Sequence, residues 1–171
     1  LDGRTSGAIN ASTINTLSGS AADLNTAYTA NGNGSISGLG NEAITLSDSS
    51  LNASVLNTLD GNTSGVINAS NINTLTGAAA DLNTAYAANG SGSISGLGNE
   101  AVNVNSGTTS TAQANNLAAA TSAVVTATIS DGDMATLAGL SETGNAYTIT
   151  ITDNSVAAAA LNALDGKTSV A

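Results

Sequence analysis

The sequence predicts an α/β solenoid: right-handed coils of about 23 or 35 residues, one parallel β-sheet along one face and short helices on the opposite face. An all-β right-handed solenoid is the alternative. Three observations point there. Residues 1–46 match residues 59–104 at an offset of about 58, and the motif Leu1-Asp2-Gly3-Arg4-Thr5-Ser6 returns as Leu59-Asp60-Gly61-Asn62-Thr63-Ser64 and Leu164-Asp165-Gly166-Lys167-Thr168-Ser169. Short segments that alternate apolar and polar residues recur at starts about 35, 23, 35, 23, 23 and 23 residues apart. The chain also lacks Cys, His, Pro, Trp and Phe and has three Tyr. Its interior must therefore be filled by Ala, Val, Ile and Leu, which suit a thin coil better than the wide centre of a globule.

The strand segments, in order, are 8–12, 43–47, 66–70, 101–105, 124–129 and 146–152, with a seventh starting near Val170. Between them lie Ala/Leu-rich stretches of helix-forming composition. Residues 21–30 and 79–88 read as helices stopped by Asn31-Gly32 and Asn89-Gly90. Asp48-Ser49-Ser50 offers N-cap oxygens before a helix over 51–59, and Asp153-Asn154-Ser155 does the same before 156–164. Gly61 and Gly166 follow as residues able to take the left-handed conformation that closes a helix. Residues 111–120 and 133–140 complete the set. A strand of about 18 Å matches a ten-residue helix of about 15 Å, so each unit returns the chain to the same edge and neighbouring strands run parallel. The glycine-rich stretches 32–40 and 90–98 make the longer units, as inserts looped out on one edge.

Alternation turns Ile9, Ile44, Leu46, Ile67, Val102, Val104, Val125, Ile149 and Ile151 inward, against Leu24, Leu56, Leu82, Leu117, Leu137 and Leu161. The outward set is polar throughout. Asn10, Thr45, Asn68, Asn103, Thr126, Thr128, Thr148, Thr150 and Thr152, with neighbouring Ser and Asn, form a surface ladder. Thr favours strands and parallel stacking permits Asn ladders, so solubilising residues account for the pattern. A regular Thr array that binds ice, a crystalline surface or a polysaccharide is the sharper reading. It needs Thr at nearly every rank, and Asn or Ser interrupts four of the six strands. Packing of this face against another copy is a third.

Without His or Cys, neither Ser/His/Asp nor Cys/His nucleophilic machinery can be assembled, nor can imidazole or thiolate metal sites. Lys167 is in principle able to activate a Ser, yet Arg4 and Asn62 stand at its place in the other copies of the motif. The chain is therefore expected not to be an enzyme, and to need no cofactor. The weak candidate for a metal is Ca²⁺ at Asp131-Gly132-Asp133, although no Asp-x-Asp-x-Asp-Gly loop with a distal Glu is present. Capping of the following helix explains those two aspartates as well. Turn hydrogen bonds explain the recurring Asp2, Asp60 and Asp165. The Gly-x-Gly spacings follow helices and precede strands, the wrong order for a phosphate cradle.

A formal charge of -10, with Arg4 and Lys167 the only basic side chains, repels nucleic acid and anionic membrane. No apolar run approaches the roughly 18 residues that span a bilayer. Nucleic acid and membrane insertion are thus excluded as expectations.

Residues 160–169 and 145–153 resemble repeats in the giant cell-surface proteins, of adhesin or motility type, of cyanobacteria and other aquatic bacteria. The resemblance spans the chain and rests on low-complexity repeats, with no catalytic signature. It implies secretion and a part in adhesion, motility or a sheath. The expectation is accordingly one continuous repeat array over 1–171 without caps, in units of roughly 1–58, 59–104 and 105–171. Its role would be that of a structural repeat module of an extracellular or cell-surface fibre, sheath or giant adhesin. It would polymerise head to tail with copies of itself or adjoining repeats of the same chain. The alternative is a solenoid that binds glycan, ice or Ca²⁺ on its polar Thr/Asn sheet face.

Overall fold

Aliphatic residues alternating with Ser, Thr and Asn make short strands, and Ala/Leu-rich stretches preceded by Ser, Asn or Asp make helices. The computed structural model describes residues 7–169. Asp2, Arg4 and the strand expected near Val170 lie outside the described residues. The elements run β1 (Ile9–Asn10), β2 (Thr16–Gly19), α1 (Ala21–Gly32), β3 (Ile36–Ser37), β4 (Ala43–Leu46), β5 (Ser50–Asn52) and α2 (Ala53–Asp60). The second copy of the motif leads into β6 (Ile67–Asn68), β7 (Thr74–Ala78), α3 (Ala79–Ser91), β8 (Ile94–Ser95) and β9 (Ala101–Ser106). The chain continues through α4 (Thr111–Ala120), β10 (Val125–Thr128), α5 (Met134–Leu137), β11 (Ala146–Thr148) and α6 (Ala158–Asp165).

Every pairing between these strands is parallel. They form three separate sheets, of order β1-β3, β2-β4-β6-β8 and β11-β10-β9-β7-β5. The expected single sheet face, the regular coils of 23 or 35 residues and the all-β alternative are overturned by this. The architecture is a compact α/β domain with three parallel sheets and six helices among the described residues, not a solenoid or tandem repeat. Two features of the chain account for the difference. Residues 16–19, 50–52 and 74–78 carry short alternations that escape notice beside helices, and they are strands. The glycine stretches are not looped out either: they carry β3 and β8, which pair with β1 and β6. Ile67 therefore lies between Ile44 and Ile94, and Val102 between Leu75 and Val125, so the segments expected to stack consecutively fall into different sheets.

The close pairing of the glycine stretches depends on their glycines. Gly38 and Gly96 have φ of +88° and +87°, and a Cβ on either would lie 2.7 or 2.8 Å from the backbone N of Ser12 or Ser70. Only glycine allows both the backbone angle and the approach.

Most of the expected inward set is buried. Ile44, Leu46, Ile67, Val102, Val104 and Val125 share one apolar core with Leu24, Leu56, Leu82, Leu117 and Leu137. Fully burying each such side chain stabilises the fold by about 1.5–3 kcal/mol. Ile9, Ile149 and Ile151, toward the two ends of the chain, are half-buried, and Leu161 is exposed.

The caps differ from expectation. Asp48 and Asp153 do not serve the helices that follow them. Asp48 Oδ2 accepts from the backbone N–H of Ala21 at the start of α1, and Asp153 Oδ2 from that of Met134 at the start of α5, at 2.8 and 2.7 Å. The following helices begin later, at Ala53 with Asn52 as N-cap, and at Ala158 after Ala157, which has no side chain able to cap. Gly61 and Gly166 close their helices with φ of -70° and -63°, the right-handed region, so left-handed freedom is not used there.

Candidate functional site: two open end faces

The outward-facing polar residues are divided among the sheets. Asn10 is on β1, Thr45 and Asn68 belong to the four-stranded sheet, and Asn103, Thr126, Thr128 and Thr148 to the five-stranded one. Thr150 and Thr152 follow β11 outside any strand. All nine are exposed. Pairing sets Thr45 beside Asn68, Asn103 beside Thr126 and Thr128 beside Thr148, but no rank runs through all of them. Asn10 and Asn68 turn inward on the chain instead: each Oδ1 accepts from the backbone N–H two residues on, at Ser12 and Ser70, at 3.0 Å.

Asp131 and Asp133 both act as caps, for different helices. Asp131 Oδ2 accepts from the Thr111 N–H at the start of α4 at 2.7 Å, and Asp133 is the N-cap of α5, accepting from Thr136 N–H at 2.9 Å. That backbone N–H, followed by the Thr136 hydroxyl, holds the Asp133 carboxyl below its ordinary range. Among the described residues no three Asp or Glu side chains converge on a point where a metal ion would sit. The Lys167 ammonium donates to the Ser141 carbonyl at 3.1 Å. No helix among the described residues is long and apolar enough to cross a membrane.

Two buried carboxylates were not foreseen. Tyr28 donates its hydroxyl to Glu42 Oε2 at 2.8 Å, and the same oxygen accepts from Gly40 N–H at 2.8 Å. Tyr86 donates to Glu100 Oε1, while Glu100 Oε2 accepts from the backbone N–H of Gly98 and Asn99. Burial pushes Glu42 upward, but the Gly40 donor and the Tyr28 hydroxyl, among others, outweigh it and keep the carboxyl below its ordinary value. Burial, reinforced by Glu42, raises the Tyr28 hydroxyl to about 12. Burial and Glu100 likewise push Tyr86 upward. Both pairs are closed in on themselves, with oxygens committed to backbone donors, and they pin the glycine stretches to the helices. The signal in the sequence was the identical spacing of fourteen residues in both pairs.

Val66 and Val124 are exposed singly, before β6 and β10, whereas apolar side chains line open grooves at two further places. At the first, β1 pairs only with β3 and β2 only with β4 among the described residues, leaving one edge of each open. Ile14 is 37% exposed beside them, next to an apolar groove of about 320 Å³ that Leu17, Ile36 and Leu39 line. At the other end, Tyr147, Ile149, Ile151, Leu161 and Leu164 line a wider groove of about 580 Å³. Leu161 is 46% exposed, whereas Leu56, at the corresponding place in α2, is fully buried. No family model, curated protein or solved structure matches the chain. What the end faces can do is therefore set by their chemistry. Apolar side chains beside open strand edges supply contact area and backbone donors and acceptors, the means of joining another protein surface. The polar face, by contrast, presents no continuous array.

Proposed function

We propose that the chain is a structural, non-catalytic module of an extracellular or cell-surface fibre, sheath or giant adhesin, joined end to end with further copies. One observation carries this reading: Ile14 and Leu161 are exposed beside apolar grooves, the first next to the open edges of β1 and β2, whereas their counterparts Ile72 and Leu56 are buried inside the molecule. The composition supports it. A surface with Lys167 as the one basic side chain among the described residues, no Cys or His and few aromatics offers little to common proteases or to redox and acid–base chemistry. The resemblance to aquatic-bacterial surface proteins supplies the location.

Sedimentation velocity across a wide concentration range, with negative-stain microscopy of the same samples, tests the assembly. An open-ended series of oligomers is expected. A monomer at every concentration would refute it. An antibody raised against the chain is expected to label intact cells of the source organism; labelling only after lysis removes the surface location.

A further inference from the structure

The groove at the last helix has an internal precedent that identifies what fills it. Residues 149–169 align without gaps on residues 44–64, with Ile149, Thr150, Asp153, Leu161, Asn162, and Leu164 matching Ile44, Thr45, Asp48, Leu56, Asn57, and Leu59. The backbone follows the sequence. Ser64 N–H donates to Gly40 O at 2.9 Å and Ser169 N–H to Asn145 O at 2.8 Å. Thr63 Oγ1 donates to Glu42 O, and Thr168 Oγ1 to Tyr147 O, each at 3.0 Å. Only the next layer differs. On residues 44–64 lies the segment 65–91: β6 pairs with β4, β7 pairs with β5, and the Asn57 amide donates to Asp81 O at 2.9 Å. On residues 149–169 no described residue takes that place.

The segment 65–91 has a near-identical twin in residues 7–33. In the twin, the side that faces β4, β5 and α2 in the original is the open first end face: Ile14 is 37% exposed where Ile72 is 2%. The two end faces are thus the two halves of a contact the molecule already makes once in its interior. We infer that the groove over β11 and α6 seats residues 7–33 of a second copy of this chain, in the register in which 65–91 sits on 44–64. This inference rests on the end-to-end reading above and specifies its joint.

The joint is defined by residue. Ile149 and Thr150 pair with Ile9 and Asn10 of the second copy, as Ile44 and Thr45 pair with Ile67 and Asn68. Residues 155–157, which lie in no strand, pair with 16–18, as β5 pairs with β7. The Asn162 amide donates to the carbonyl of Asp23, and Leu161 and Ile14 become buried.

Leu161→Asp and Ile14→Asp test it, because each side chain is exposed in the single chain, and circular dichroism of each variant is expected to match that of the parent. Each variant alone is expected to self-associate roughly tenfold or more weakly than the parent. An equimolar mixture is expected to give a 1:1 dimer that grows no further, since one undamaged copy of each face remains. If the parent assembles and either variant assembles equally well, or the mixture stays monomeric, the joint is wrong while end-to-end assembly stands. If the parent never assembles, both readings fall. A second measurement is independent of the aspartates: Asn10→Cys/Thr150→Cys, in a chain with no other thiol, is expected to form disulfide-linked oligomers on oxidation, and Asn10→Cys/Thr128→Cys is not. Equal cross-linking of the two overturns the register.

Discussion

Single side chains hold this fold at points where the strands are too short to do so. The Tyr28–Glu42 and Tyr86–Glu100 pairs place a carboxylate in the interior and satisfy it with a phenol and backbone N–H groups. Tyr28→Phe keeps the ring and removes one donor to a buried charge, so a loss of about 1.5–3 kcal/mol in urea denaturation is expected. The pH dependence follows from the directions. Glu42 sits below its ordinary 4.5, so its stabilisation is present above that value and disappears as the pH falls through the folded value. Tyr28 and Tyr147 are raised from 10.0 to about 12, so their neutral forms support the fold fully below pH 10, and that support is lost between 10 and 12. Tyrosinate absorbance followed together with circular dichroism is expected to rise with unfolding; independent titration at the ordinary value with the fold intact would contradict it. Gly96→Ala forces a Cβ against Ser70 in a left-handed backbone, and a loss of about 1–3 kcal/mol is expected from overpacking of this kind.

At the scale of elements, three aspartates fasten helices from outside. Asp48, Asp131 and Asp153 reach the first N–H of α1, α4 and α5, each from the loop that follows a later strand. Asp153→Ala is therefore expected to cost about 0.5–2 kcal/mol and to speed hydrogen exchange at Met134, not at Ala158. Sequence order favours the opposite assignment, because Asp153-Asn154-Ser155 stands directly before the last helix and a long-range cap leaves no local mark. The same limit applies to the sheets. The alternations at Ile44, Ile67, Val102 and Val125 were legible as strands with their buried faces correct, and five of the six leucines expected opposite them are in the core. Which strand lies beside which was not legible. A two-residue strand such as β8 carries no periodicity, and its pairing with β6 is fixed by the Gly96 approach to Ser70, which exists only once the chain has folded. The recurrence of the motif at 59–64 and 164–169 was legible, but the different exposure of the helices that lead into it was not, since an identical leucine is buried in α2 and open in α6.

For the whole molecule, charge and apolar area oppose each other. Copies each carrying a formal charge of -10 repel, whereas the proposed joint would attract through apolar contacts that salt does not screen. Association is expected to strengthen from low to moderate ionic strength, measured by sedimentation; weakening with salt would mean that the joint relies on ion pairs instead. The parallel course of every strand then has a consequence for growth. The proposed joint brings together two ends built from different residues, so no two-fold axis relates the copies across it and a strand of such copies has a polarity, like a train whose couplings differ front and rear. Elongation proceeds by unlike-end contact, and a copy damaged at one end alone acts as a terminator: a small fraction of Leu161→Asp chains in a parent population shortens the product far out of proportion to its abundance.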